Sequence, residues 1–125
     1  MVKEFILYEQ ALALKELEFD EPCFGLYHND KTLYPTQCKS HEQFHGQICS
    51  APLRQQAFRW FREKKNIYGT VIPSYTDNKS TKDKFIFEIA FDRKLKQYSK
   101  NWYYNTYEEA EQACLNKLIE IVKNK

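Results

Sequence analysis

Seven consecutive residues, Phe85-Ile86-Phe87-Glu88-Ile89-Ala90-Phe91, carry an apolar side chain at every odd position. Strand side chains alternate between the two faces of a sheet, so Phe85, Phe87, Ile89 and Phe91 define one face that has to be covered. The end of the chain supplies a cover. Thr106-Tyr107-Glu108-Glu109 has the form of a capping box, in which hydroxyl and carboxylate each satisfy a backbone N–H at a helix start. Ala110, Ala113, Cys114, Leu118, Ile121 and Val122 then recur at helical spacing. Glu108, Glu109 and Glu111 crowd the first turn and lysines the last, which matches the helix dipole. The pattern predicts a structural helix whose acidic first turn faces solvent.

The remaining elements follow from punctuation and period. Residues from about Lys3 to Leu17 read as a helix, with Phe5, Tyr8, Ala11 and Leu12 on one side, and Pro22 bars its continuation. Cys23 to Tyr27 and Thr32 to Tyr34 read as strands around the turn residues His28-Asn29-Asp30-Lys31. From about 35 to 50 the chain is polar and aperiodic, a long loop. A second helix is expected after it, capped by Ser50, with Pro52 in its first turn and an apolar face of Leu53, Ala57, Phe58, Trp60 and Phe61. Asn66 ends that helix. Ile67 to Ile72 read as a strand stopping at Pro73, Arg93 to Lys100 as a basic turn, and Trp102 to Tyr104 as a short strand. The fold class is α+β, an antiparallel sheet packed with helices in the order αββα-ββ(β)-α, because every strand connection is short.

Size and composition agree with one domain over 1–125. The 125 residues include two Trp, nine Tyr and nine Phe, enough large side chains to build a core and to argue against disorder. Lys and Arg number 19 against 17 Asp and Glu, so no net field draws the whole chain to nucleic acid or to an anionic membrane. No apolar run approaches the ~18 residues that cross a bilayer. Met1-Val2-Lys3-Glu4-Phe5 runs straight into a charged amphipathic pattern, so export is not expected and the setting read from the sequence is cytoplasmic. Cysteines 23, 38, 49 and 114 are then expected to be reduced thiols, Cys114 among them as a small core residue.

Three constellations could carry chemistry. Cys38, His41, His45 and Cys49 are spaced Cys-x2-His-x3-His-x3-Cys, compact enough for four donors around one zinc ion, although structural zinc sites pair their ligands as two knuckles. The expectation is no metal and no cofactor. The same residues as a Cys/His nucleophile pair would need a thiolate of lowered pKa and an orienting acid, for which the loop offers Glu42. Arg54, Arg59 and Arg62 on the second helix, and Arg93, Lys94 and Lys96 near Trp102, interleave positive charge with aromatics, as surfaces that track a phosphate backbone do. The plainer reading makes them the solvated faces of a helix and a turn. With three glycines the chain has no phosphate-cradling loop, and no enzyme motif is present.

The blocks Tyr8-Glu9-Gln10-Ala11-Leu12-Ala13-Leu14-Lys15-Glu16-Leu17 and Phe19-Asp20-Glu21-Pro22-Cys23-Phe24-Gly25, then Cys49-Ser50-Ala51-Pro52-Leu53 and Gln55-Gln56-Ala57-Phe58-Arg59-Trp60-Phe61-Arg62-Glu63-Lys64, carry one resemblance. Thr106 to Glu111, Ala113-Cys114-Leu115 and Lys117 to Val122 continue it. Together, about half the chain resembles an uncharacterised family of small proteins from gut Bacteroidetes phages and prophages. That resemblance implies a phage or prophage origin and supplies no activity, and its blocks do not include His41 and His45. A second resemblance is of topology alone. Residues 53–123 run helix, strand, strand, short strand, helix, similar to a double-stranded-RNA-binding domain, a family that opens its last helix with a lysine-rich turn on phosphates. Tyr107-Glu108-Glu109-Ala110-Glu111 stands there instead and would repel phosphate.

The function expected from these observations is that of a non-enzymatic accessory protein of phage origin acting on an unknown protein partner. A nucleic-acid-binding module and a small zinc-stabilised domain are the alternatives.

Overall fold

The structure, a computed structural model, describes residues 4–35, 48–74, 84–91, 94–98 and 103–124. Among these residues, three helices and two three-stranded antiparallel sheets make it an α+β protein. The chain divides into two compact units, 1–57 and 58–125, the division falling within the second helix.

In the first unit, α1 (Tyr8–Glu16) is followed by β1 (Leu26–His28), β2 (Leu33–Tyr34) and β3 (Ile48–Ser50), paired in the order β2-β1-β3. The helix starts at Tyr8 rather than at Lys3, because the residues before it are extended. Phe5 bridges to Leu53, the Ile6 N–H donates to the Pro52 carbonyl at 3.1 Å, and both side chains are buried. Two successive buried residues suit an extended segment wedged into a core better than an amphipathic helix. Gln10 folds back to cap the start, its Oε1 accepting the Leu7 N–H at 2.9 Å. At the other end Glu18 takes φ 72°, and the Phe19 N–H donates to the Leu14 carbonyl at 2.9 Å, a Schellman-type stop that carries Phe19 into the core.

Two expectations about the following segment fail. Strand β1 is displaced from Cys23–Tyr27 to Leu26–His28, and the supposed loop from 35 to 50 ends in a strand, Tyr27 standing opposite Cys49 and Leu26 opposite Ser50. Ser50 is therefore a buried ladder residue, four positions before the helix begins at Arg54, with Pro52 two residues outside it. A three-residue strand is too short to show alternation, and its partner rather than its sequence determines it.

In the second unit, α2 (Arg54–Lys65) leads through β4 (Ile67–Pro73), β5 (Phe85–Phe91) and β6 (Lys94–Tyr98) to α3 (Tyr107–Lys123), with the strands in the order β4-β5-β6. Asn66 ends α2 with φ 55°, a conformation Asn tolerates better than most residues. The expected basic turn is strand β6 instead: Lys94 pairs with Phe91 and Tyr98 with Glu88, across a register shift at Ile89/Ala90. Of the short strand expected at Trp102–Tyr104, Tyr104 makes a single bridge to Phe85, and Trp102 lies outside the described residues.

Thr106 caps α3 as expected, its Oγ1 accepting the Glu109 N–H at 3.1 Å. Thr106→Ala should therefore cost about 1 kcal/mol in a urea titration. Glu108 and Glu109 are exposed, but Glu111 is only 4% exposed, which corrects the expectation of a wholly solvated acidic turn. The reason is helical phase: Glu111 lies one turn before Leu115 and two before Leu118, on the side that is buried.

Candidate functional site

Backbone hydrogen bonds fix which way each residue of β4 and β5 points. Phe85 exchanges both its N–H and its C=O with Tyr104, on the side away from β4, and the Ser74 N–H donates to the Lys84 carbonyl. Bonds alternate along an antiparallel strand, so Ile86, Glu88 and Ala90 are bonded to Ile72, Thr70 and Tyr68. Paired residues share a face. One face of this ladder therefore carries Ile67, Gly69 and Val71 with Phe91, Ile89 and Phe87, and the other carries Tyr68, Thr70 and Ile72 with Ala90, Glu88 and Ile86.

Both helices meet the first of these faces at Gly69. A Cβ on Gly69 would lie 2.8 Å from Cys114 Sγ and 3.0 Å from Leu118 Cδ1, both on α3, and 3.1 Å from Phe58 Cε1 on α2. Only a residue without a side chain allows so close an approach. Phe87 and Ile89 are accordingly buried, while Phe85 and Phe91 at the strand ends are half-buried.

On the opposite face, Tyr68 and Thr70 are exposed, and Ile72, Ile86, Glu88 and Ala90 are half-buried. At Gly69, α2 and α3 approach from the other side of the sheet. The opposite face presents Tyr68, Ile72, Ile86 and Ala90 around the polar pair Thr70 and Glu88, an apolar platform of the kind that marks contact sites. The signal for it was in the sequence, since the even positions 86 and 90 of the strongest strand are also apolar.

The residues singled out by motif fare differently. Cys38, His41 and His45 lie outside the described residues. Cys49 is buried on β3 beside Tyr27, whose hydroxyl donates to the Ile6 carbonyl at 2.6 Å. Burial pushes the Cys49 thiol up to about 11, with Lys15 opposing, so it is the reverse of the low-pKa thiolate that a nucleophile needs. Burial, with the charge of Glu111, pushes Cys114 up to about 12. Among the described residues, no group of three His, Cys, Asp or Glu is arranged to hold a metal.

These thiols give stability a pH dependence of definite sign. The folded chain keeps each proton above pH ~9, where the unfolded chain releases it. Stability is thus full below pH ~9 and falls as pH rises towards 11 for Cys49 and 12 for Cys114. The urea midpoint should drop between pH 8.5 and pH 10.5, by less in a Cys49→Ala variant. At pH 8 an aromatic disulfide reagent should leave Cys23, Cys49 and Cys114 untouched in the folded Cys38→Ser protein and label all three in urea.

Arg54 is buried, with Nη1 donating to the Phe5 carbonyl at 3.3 Å, and is structural. Arg59 and Arg62 are exposed on α2, Arg59 pairing with Glu63 at 3.5 Å, while Lys65 lies over the Trp60 ring. Lys94 and Lys96 belong to β6, and Arg93 and Trp102 lie outside the described residues. No helix among the described residues is long and apolar enough to cross a membrane. Comparison with family models, with curated proteins and with solved structures returned no match.

Proposed function

We propose that this chain is a non-enzymatic accessory protein of phage or prophage origin that works in the bacterial cytoplasm by binding a protein partner, with the open face of β4 and β5 as its contact surface. The observation that carries the reading is that face, where Tyr68, Ile72, Ile86 and Ala90 stand together opposite the side on which α2 and α3 converge. Aromatic and aliphatic side chains gathered on both sides of one polar pair, Thr70 and Glu88, offer the apolar area that contact sites use. The buried, high-pKa thiols of Cys49 and Cys114 argue further against thiol catalysis.

The test is affinity capture from infected or lysogenic cells with wild-type protein and with Tyr68→Lys/Ile86→Lys. The double variant should retain its circular dichroism spectrum and lose the partner at least tenfold. Undiminished capture would remove this face from consideration.

A nucleic-acid-binding reading has one observation in its favour, the helix–strand–strand–strand–helix order of α2 to α3 with Arg59 and Arg62 exposed on α2. Against it stand Glu108 and Glu109, exposed where the resembled family grips phosphate. Steeply salt-dependent binding of duplex RNA, lost in Arg59→Ala/Arg62→Ala, would favour it.

A further inference from the structure

We propose that β4 is a self-pairing edge, along which a second copy of this chain adds its own β4 antiparallel to form a continuous six-stranded sheet. The alternation established above leaves Ile67, Gly69, Val71 and Pro73 with their backbone groups directed away from β5. Pro73, which has no N–H, fits an outward position on an edge. The sheet order places β4 at one edge among the described residues. At Gly69 the helix side of the strand is filled by Cys114, Leu118 and Phe58, and the residue keeps part of its surface exposed.

The two edges of this sheet are treated differently. Strand β6 pairs with β5 across a register shift at Ile89/Ala90, an irregularity of the kind that discourages further pairing. Strand β4 has seven residues, none charged, and pairs with β5 without any register shift. A charge-free strand meets no repulsion from its own copy, which is the argument for a second chain rather than a charged partner strand.

The register is also determined. Ile67 is wholly buried and Pro73 lacks a donor, so Gly69 and Val71 are the residues whose outward groups have no partner among the described residues. The two-fold arrangement that uses both is centred on Thr70. Gly69 of each copy then exchanges N–H and C=O with Val71 of the other. On the open face Thr70 meets Thr70, and Tyr68 meets Ile72, both favourable cross-strand pairs. This pairing uses the strand's edge and does not depend on the partner-binding role of its face.

The test combines sedimentation with register-specific cross-linking. Wild-type protein should sediment as a dimer, and Thr70→Lys, which sets two ammonium groups opposite each other, as a folded monomer. In a Cys38→Ser background, Thr70→Cys should oxidise with copper–phenanthroline to a covalent dimer, since facing residues of this non-bonded type lie about 4.5 Å apart at Cα. Tyr68→Cys, facing Ile72, should not. A monomeric wild type, a dimer that survives Thr70→Lys, or cross-linking at Tyr68→Cys but not at Thr70→Cys would each overturn the proposal, as would a monomer that takes up an extended foreign peptide along β4.

Discussion

Leu118→Ala is expected to lower the unfolding free energy by about 2–5 kcal/mol, because Leu118 is wholly buried and packs at Gly69 of β4. Gly69→Ala is expected to destabilise as well, by about 1–3 kcal/mol, since its methyl would land within 3.1 Å of Cys114, Leu118 and Phe58. The two effects should not add. Truncating Leu118 removes the atom 3.0 Å from the new methyl, so the double variant should be more stable than the sum by about 0.5–3 kcal/mol. Urea titration of the four proteins gives the coupling. Strict additivity would mean that α3 does not seat on β4 at Gly69.

Phe61→Ala should cost about 3–5 kcal/mol. Phe61 is wholly buried on α2 and packs edge-to-face with Trp60 at 5.1 Å, so truncation removes both apolar area and a favourable ring contact. Arg62→Ala, the next residue on the same helix but exposed, should stay within about 0.5 kcal/mol of wild type. Thermal or urea unfolding of the two variants separates the buried face of α2 from its solvated one.

What could be read from the sequence was what repeats. The period-2 run of β5 and the capped, amphipathic α3 were legible because several residues in a row reported the same environment. Elements defined by a distant partner were not. Ile48–Ser50 becomes a strand because β1 lies beside it, and Ser50, which has the chemistry of a cap, is taken up by that ladder. Phe5 and Ile6 carry helix-compatible side chains, yet Pro52 and Leu53 draw their backbone out straight. Residues 94–98 resemble a turn in composition, and it is the pairing with β5 that makes them a strand. Glu111 was misjudged by counting charge in a turn instead of following the helical phase to Leu115.

The candidate site was less legible than the fold. Motif spacing drew attention to Cys49 and Arg54, and burial removes both from the surface. The open face announces itself through no motif, only through the surplus of apolar residues on the second side of β4 and β5. That surplus becomes meaningful once Gly69 shows which side the helices occupy.

The most direct measurement of the central claim is site-specific photocross-linking in lysogenic or infected cells. A benzophenone amino acid replaces Ile86, on the open face of the central strand, or Tyr107, exposed on the first turn of α3. A discrete covalent adduct to another protein from position 86, with none from position 107, is the result expected of a partner seated on the sheet. Adducts from position 107 alone, or none from position 86, would contradict it.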